Sequence, residues 1–320
     1  MKIVVAIRMS DEDRAGLAAA VPDENVVVTN TRDEAIRDIP DAEAYVPGPW
    51  NEDIFAAARR LRWVHFDWAG IESQMFPALA ESDVLVTNAA GVFAVPMADH
   101  AIGMMLAVSR ALLTCARRPP EQLWHAPGAR TRITGQVREL NGATLGVVGY
   151  GGIGREVARR AKGFGMRVLA LRRRPQADEF ADEVWGPDRL DDLLRQSDYL
   201  VLSCALTDET RGLIGRRELA LMKPGSVFVN VARGAVVDES ALIDALQRGH
   251  LGGAGLDVTA REPLPVESPL WTMENVVVTP HVSGFSPQTL RRQFALLREN
   301  VRRFAAGEPL LNVVDKRAGY

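Results

Sequence analysis

Three side chains suited to carbonyl chemistry each follow a short apolar run: Arg233 after Ser226 to Val231, Glu262 after Gly253 to Val258, and His281 after Val276 to Thr279. An arginine, a carboxylic acid and a histidine are the parts that reduction of a 2-keto acid requires. The planar fork of Arg233 suits a carboxylate or a polarised carbonyl, which a lysine would grip less well. His281 would give a proton to the carbonyl oxygen as hydride reaches the carbon. Glu262 would orient the imidazole and favour its charged form. In the oxidative direction the roles reverse.

A second constellation is Leu145-Gly-Val-Val-Gly-Tyr-Gly-Gly-Ile-Gly154, an apolar run that breaks into Gly149, Gly151 and Gly154 before a stretch of helical periodicity over 155–162. Strand, turn, helix is the context a dinucleotide fingerprint demands. Gly149 permits the tight turn, Gly151 lets backbone approach a pyrophosphate, and Gly154 lets helix pack on strand. The helix N-terminus then offers unpaired N–H groups and a favourable dipole to the phosphates.

These residues need a scaffold, and the pattern around them supplies one. Strand-like runs at Leu145, Val168 to Leu171, Tyr199 to Cys204, Ser226 to Val231, Gly253 to Val258 and Val276 to Thr279 alternate with helical stretches such as Arg216 to Met222 and Ser240 to Arg248. That alternation predicts an α/β doubly wound parallel sheet, whose ligands bind beyond the carboxyl ends of the strands. Residues 1 to about 97 repeat the pattern, with runs at Ile3 to Ile7, Asn25 to Val28, Ala44 to Val46, Trp63 to Phe66 and Val84 to Thr87. No glycine fingerprint follows the first of these, so this lobe is assigned to substrate. Its loops Pro47-Gly-Pro-Trp50 and Asp67-Trp-Ala-Gly-Ile71 follow strands, and the small residues Ala69 and Gly70 can aim backbone N–H groups at a carboxylate. Read as plain turns, the same loops need no ligand.

Between the lobes, 92 to about 113 reads as one long helix, apolar on nearly all sides, and 117–138 as a long loop without periodicity. A helix of that kind lies deep in a core or against a second copy, which predicts a homodimer through the helix and loop. Asp99 and His100 fall in its first turns, and a lone histidine there is more often structural than catalytic.

Composition narrows the function. The 320 residues exceed one ordinary core, and 47% apolar content is ample for two. With 38 basic against 41 acidic residues there is no electrostatic footprint for nucleic acid or an anionic membrane, which leaves a small molecule as the partner. Cys115 and Cys204 stand far apart, outside any metal or disulfide framework, so a reducing cytoplasm fits and no metal is expected. The run Met1-Lys-Ile-Val-Val-Ala-Ile7 is too short for a signal peptide or membrane span and reads as a first strand.

The glycine turn, Leu206-Thr-Asp-Glu-Thr-Arg-Gly-Leu-Ile-Gly215, Leu221-Met-Lys-Pro-Gly-Ser-Val-Phe-Val-Asn-Val-Ala-Arg-Gly234, Gly255-Leu-Asp-Val-Thr-Ala-Arg-Glu-Pro-Leu264 and Asn275-Val-Val-Val-Thr-Pro-His281 resemble, in order, the signature blocks of the D-isomer-specific 2-hydroxyacid dehydrogenases. The resemblance covers nearly the whole chain. It implies two Rossmann-like or flavodoxin-like α/β lobes, with a nucleotide domain over 99–285 inserted into a substrate domain of 1–98 plus 286–320. It also implies a catalytic set of Arg233, Glu262 and His281. Cofactor contacts would fall at Gly149, Gly151, Gly152, Ile153 and Gly154, and at Cys204, Thr210, Ala232, Asp257 and Gly284, with Asp257 at the nicotinamide carboxamide. Substrate would meet Ala69, Gly70 and Ile71, with Trp50 nearby.

One departure bears on the cofactor. Where NAD-preferring relatives place an acid on the adenine ribose, about 20 residues past the glycine turn, this chain has Arg172 and Arg173, followed by Arg174. Guanidinium groups bind a 2′-phosphate that an acid would repel, which predicts NADP(H) in preference to NAD(H). Ser203-Cys204-Ala205 stands where many relatives carry His-Val-Pro, a change at the adenine wall. The chain length and the Trp-Ala-Gly-Ile loop look most like the glyoxylate and hydroxypyruvate reductases, although Trp50, Trp68 and Trp124 leave room for a larger or aromatic keto acid. The rival reading is a nucleotide-sensing interaction protein on the same fold.

Overall fold

The structure, a computed structural model, describes residues 1–21, 26–29 and 31–316, apart from the side chain of Arg132. The chain divides into two compact units, Met1–Phe93 with Ser286–Tyr320, and Ala94–Phe285.

In the first unit, strands β1 (Ile3–Val5), β2 (Val26–Val28), β3 (Ala44–Val46), β4 (Trp63–His65) and β5 (Leu85–Thr87) form one parallel sheet in the order β2-β1-β3-β4-β5. Asn25, where the sequence suggests the second strand starts, lies outside the described residues. Parallel sheets are covered on both faces, which explains why these strands are apolar without alternation. The helix Pro287–Ala306 covers part of one face, placing Leu297 and Val301 among Ile3, Val5 and Trp63. Its ends are written in sequence: the Ser286 hydroxyl accepts the Thr289 N–H, Pro287 sits in the first turn, and Gly307 closes it at φ +68°.

In the second unit, β6 (Thr144–Val148), β7 (Arg167–Leu171), β8 (Glu183–Trp185), β9 (Tyr199–Leu202), β10 (Val227–Asn230), β11 (Gly253–Leu256) and β12 (Val276–Val278) make a seven-stranded parallel sheet ordered β12-β11-β10-β9-β6-β7-β8. Strand order reverses at β6 beside β9, the switch point where dinucleotides bind in doubly wound sheets. Buried side chains on the two faces form two apolar clusters, one including Leu200, Phe228 and Leu256 and the other including Val147, Val201 and Val229. Among the described residues, no helix is long and apolar enough to cross a membrane.

Three expectations are corrected. The long helix stops at Ser109: Arg138 N–H takes the Ser109 carbonyl at 2.8 Å, Ala111 turns to φ +51°, and a separate helix runs Leu112–Arg117. The segment 117–138 is not a bare loop, since it holds a π turn at Glu121–His125 and a helix at Ala129–Thr134. The first crossing between units follows Phe93 rather than residue 98, because the Ala94–Ser109 helix belongs to the second unit from its first residue.

Candidate active site

Arg233, Glu262 and His281 follow β10, β11 and β12, three neighbouring parallel strands, so all three lie at the carboxyl edge of one sheet. His281 Nδ1 lies 2.8 Å from Glu262 Oε2, and the other Glu262 oxygen accepts the Thr259 N–H at 3.2 Å. A carboxylate only accepts, so Nδ1 carries the proton and Nε2 is left for chemistry. The side chains of the pair are 47% and 41% exposed, open to a substrate rather than sealed in a core.

Arg233 is set by a turn that sequence reasoning overlooked. Asn230, buried at the end of β10, donates to the Arg233 carbonyl at 3.0 Å and accepts the Ala232 N–H at 2.9 Å. An amide among the apolar residues of a buried strand is the signal that could have found it. Gly234 then packs so tightly on the Thr259 carbonyl that a Cβ there would overlap it, which brings the Arg233 loop against the Glu262 loop.

His281 sits at φ +54°, a left-handed conformation that costs a non-glycine residue about 1–2 kcal/mol. Asp257 holds it there. Its carbonyl accepts the His281 N–H at 2.9 Å, and its carboxylate accepts Val282 N–H at 2.9 Å, Ser283 N–H at 3.0 Å and the Thr279 hydroxyl at 2.6 Å. Burial pushes the Asp257 carboxyl up, but the hydrogen bonds from Ser283, Thr279 and Val282 outweigh it and hold it below the usual carboxylate range. The Asp257 side chain is wholly buried, with both oxygens engaged by the protein.

At the switch point the glycine turn has the shape a pyrophosphate needs. Gly149 adopts φ +95° and abuts the Cys204 backbone, leaving no room for a side chain. Gly154 lies against the Gly149 carbonyl. A Cβ on Gly151 would meet no protein atom within 4 Å, which leaves open space before the Gly152–Gly163 helix, where the first-turn amides have no partners within the helix. Gly152 and Ile153 open that helix. These residues fit a dinucleotide. Cys204 is packed rather than reactive, its thiol pushed up to about 11 by burial. Thr210 folds back on its own loop, to the Ala205 carbonyl at 2.7 Å and the Thr207 N–H at 2.8 Å. Ala232 is buried in the turn after β10, and Gly284 follows the segment that Asp257 clamps. Arg172 follows β7, its N–H bonded to the Trp185 carbonyl, with Arg173 and Arg174 exposed beyond it. Arg155 is committed elsewhere, to Asp178 at 2.7 Å and Glu179 at 2.9 Å.

In the first unit the Asp67–Ile71 loop is anchored by its carbonyls, Trp68 to the Ala89 N–H at 2.9 Å and Ala69 to the Asn88 side chain at 2.7 Å. Gly70 is half-buried and Ile71 buried. Trp50 packs against Tyr45, Phe55, Phe66 and Phe76, and its indole N–H goes to the Gln74 carbonyl at 3.1 Å. These contacts pack one part of a ring that is only half-buried. Trp68 is 43% exposed.

A seven-stranded sheet with a glycine turn at its switch point and an imidazole–carboxylate pair at neighbouring strand ends defines a nucleotide-dependent oxidoreductase. Residues 102–283 match the family described as D-isomer specific 2-hydroxyacid dehydrogenase, NAD binding domain, and the chain belongs to that family. It is 36% identical to a glyoxylate reductase of Korarchaeum cryptofilum over 93% of this chain and 87% of that protein. Among solved structures it resembles a D-isomer specific 2-hydroxyacid dehydrogenase of Xanthobacter autotrophicus Py2 in complex with NADPH and MES, with TM-score 0.84 and 33% identity over 100% of this chain and 99% of that one. It also resembles an NADPH-dependent glyoxylate/hydroxypyruvate reductase of Sinorhizobium meliloti in complex with NADP and sulfate, with TM-score 0.84 and 28% identity over the same shares. The protein is therefore an NAD(P)-dependent dehydrogenase.

Proposed function

We propose that the protein reduces small 2-keto acids of the glyoxylate and hydroxypyruvate type with NADPH. The observation that carries this reading is the His281–Glu262 pair, 2.8 Å apart at the sheet edge that also bears the glycine turn. NADPH, when bound, supplies the hydride to the carbonyl carbon. Arg233 holds the keto acid and polarises its carbonyl. His281 gives a proton to the oxygen as charge builds there, and Glu262 stabilises the imidazolium before and the neutral ring's orientation after. Asp257, Ala232 and Gly284 border the nicotinamide end, and Cys204 and Thr210 the loop at the adenine end. Arg172 and Arg173 take the 2′-phosphate, a role that Arg155 is not free to fill. In the first unit, Ala69, Gly70 and Ile71 offer amides to the substrate carboxylate from a loop whose carbonyls are anchored.

The assembly we propose is a homodimer through the 92–113 and 117–138 segments, supported by the exposed apolar side chains Leu112 (54%) and Trp124 (82%). A sedimentation experiment giving only monomer removes it. The two unpaired thiols support work in the cytoplasm.

A steady-state panel of glyoxylate, hydroxypyruvate and phenylpyruvate with both cofactors tests the activity. The expected result is turnover of the two small acids, with higher kcat/KM for NADPH, and loss of that preference in Arg172→Asp. Tight NADPH binding without oxidation by any keto acid would favour the sensing role instead.

A further inference from the structure

We propose that His100 and Thr279 are positioning residues for His281, acting through a hydrogen-bond chain that runs from the Ala94–Ser109 helix to the loop after β12. The inference rests on the proposed acid/base role of His281.

The direction of the chain follows from valence. Thr279 Oγ1 lies 2.6 Å from Asp257 Oδ1 and 2.9 Å from His100 Nε2. A hydroxyl has one proton, and an ionised carboxylate can only accept. Thr279 therefore donates to Asp257 and accepts from His100, so His100 Nε2 carries a proton. Its nitrogen also lies 3.7 Å from Asp257 Oδ1 itself. The chain ends on the segment that matters for chemistry, because the same Asp257 oxygen accepts the Val282 N–H while its partner oxygen accepts the Ser283 N–H. The Thr279 and Asp257 carbonyls both accept the His281 N–H, at 3.0 and 2.9 Å.

His281 is thus bracketed on both sides of a left-handed φ by groups that Asp257 and Thr279 fix. Such a conformation persists only where its surroundings over-determine it. Without the Thr279 hydroxyl, the Asp257 oxygen loses a donor, and the His100 N–H loses its closest acceptor. The Asp257 carboxylate is then held by the Val282 and Ser283 amides alone, and its grip on the 281–283 backbone loosens. His281 would still be present, but it would point at the substrate for a smaller fraction of the time. The consequence falls on proton delivery rather than on cofactor binding.

The test is a set of variants in the full-length protein: Thr279→Val, Thr279→Ser, His100→Leu, His100→Gln and the double variant Thr279→Val with His100→Leu. For Thr279→Val, kcat for keto-acid reduction is expected to fall roughly tenfold to a hundredfold, as misplacement of a catalytic group does, and the solvent isotope effect on kcat to rise, while the dissociation constant for NADPH stays within about threefold. Thr279→Ser, which keeps the hydroxyl, and His100→Gln, which keeps a donor, should restore most of kcat. The double variant should be little worse than Thr279→Val alone, since both cut one chain. A merely structural role predicts loss of stability without rescue and without the isotope effect. The proposal is overturned if Thr279→Val keeps kcat, if Thr279→Ser is as impaired as Thr279→Val, or if the two single losses multiply. Should His281→Asn itself leave kcat intact, the acid/base reading has failed instead, a distinct outcome.

Discussion

Glu262 uses its two oxygens for different partners, Oε2 for the His281 ring and Oε1 for the Thr259 N–H. Its negative charge and its inability to donate both matter, because together they fix the proton on Nδ1. In Glu262→Gln the amide can turn its NH2 toward His281 and select the opposite tautomer, with no change in bulk. We expect kcat to fall by roughly 10²–10⁴ with the fold intact, checked by steady-state kinetics beside circular dichroism; a loss under about threefold would remove Glu262 from the mechanism. Asp67, in the first unit, makes a different prediction. Its Oδ1 is buried with no hydrogen-bond partner among the described residues, and burial pushes its carboxyl up to about 6. A raised carboxylate pKa means the folded state prefers the neutral acid. That contribution to stability is complete below about pH 4 and is lost as pH rises through about 6. Asp67→Asn should therefore match the parent in denaturant titrations at pH 4 and exceed it above pH 7 by on the order of 2–3 kcal/mol. Equal stability at both pH values would show that Asp67 is charged and satisfied in the fold.

Between elements, the closest approach at the proposed catalytic edge is backbone on backbone, where Gly234 after β10 meets Thr259 and Ala260 after β11. The neighbours are peptide groups rather than flexible side-chain ends, so Gly234→Ala must move a loop. It should cost at least the roughly 1–3 kcal/mol of ordinary overpacking and lower kcat as well, since the displaced loops carry Arg233 and Glu262. Gly151→Ala is the contrast: its Cβ meets no protein, so melting temperature should hold while NADP(H) affinity drops. Normal activity in Gly234→Ala would contradict the packing argument. The same edge shows what was legible in the sequence. Strand ends followed by Arg233, Glu262 and His281 were readable because buried parallel strands are continuous apolar runs and the residue types after them are chemical. Four things were not. Val231 and Val258 are as buried as strand residues but lie past the ladder, so apolarity placed the ends of β10 and β11 too late. β8 was missed because it is a three-residue edge strand, half-exposed and paired only to β7. His100 was read as an ordinary helix histidine, since its partner Thr279 is 179 positions away and no local pattern links them. Ala111 ends a helix without glycine or proline, by a tertiary bond to Ser109 that no helix-stop signal announces.

At the scale of the whole molecule, the chain crosses between its two units after Phe93 and after Phe285, and each unit has its own sheet and apolar clusters. The glycine turn and Arg172 both belong to Ala94–Phe285, so a nucleotide that binds there stabilises that unit by mass action. At a ligand concentration 100 times Kd the gain is about 2.7 kcal/mol, which for a unit of this size is a shift of roughly 5–10 °C in its melting transition. The tryptophans weight the optical signal toward the first unit. Trp63 is wholly buried there, Trp50 is packed among four aromatic rings and Trp68 is exposed, whereas in the second unit Trp185 is half-buried and Trp124 and Trp271 are already 82% and 44% exposed. The red shift of indole emission on heating should therefore report mainly the first unit, while calorimetry reports both. With NADP⁺, which lacks the near-ultraviolet absorption of the reduced form, the calorimetric transition of the second unit should move upward while the fluorescence midpoint stays in place. Equal movement of both would mean that the two units unfold as one cooperative body, and that binding energy placed at the glycine turn is shared by the Asp67–Ile71 loop as well.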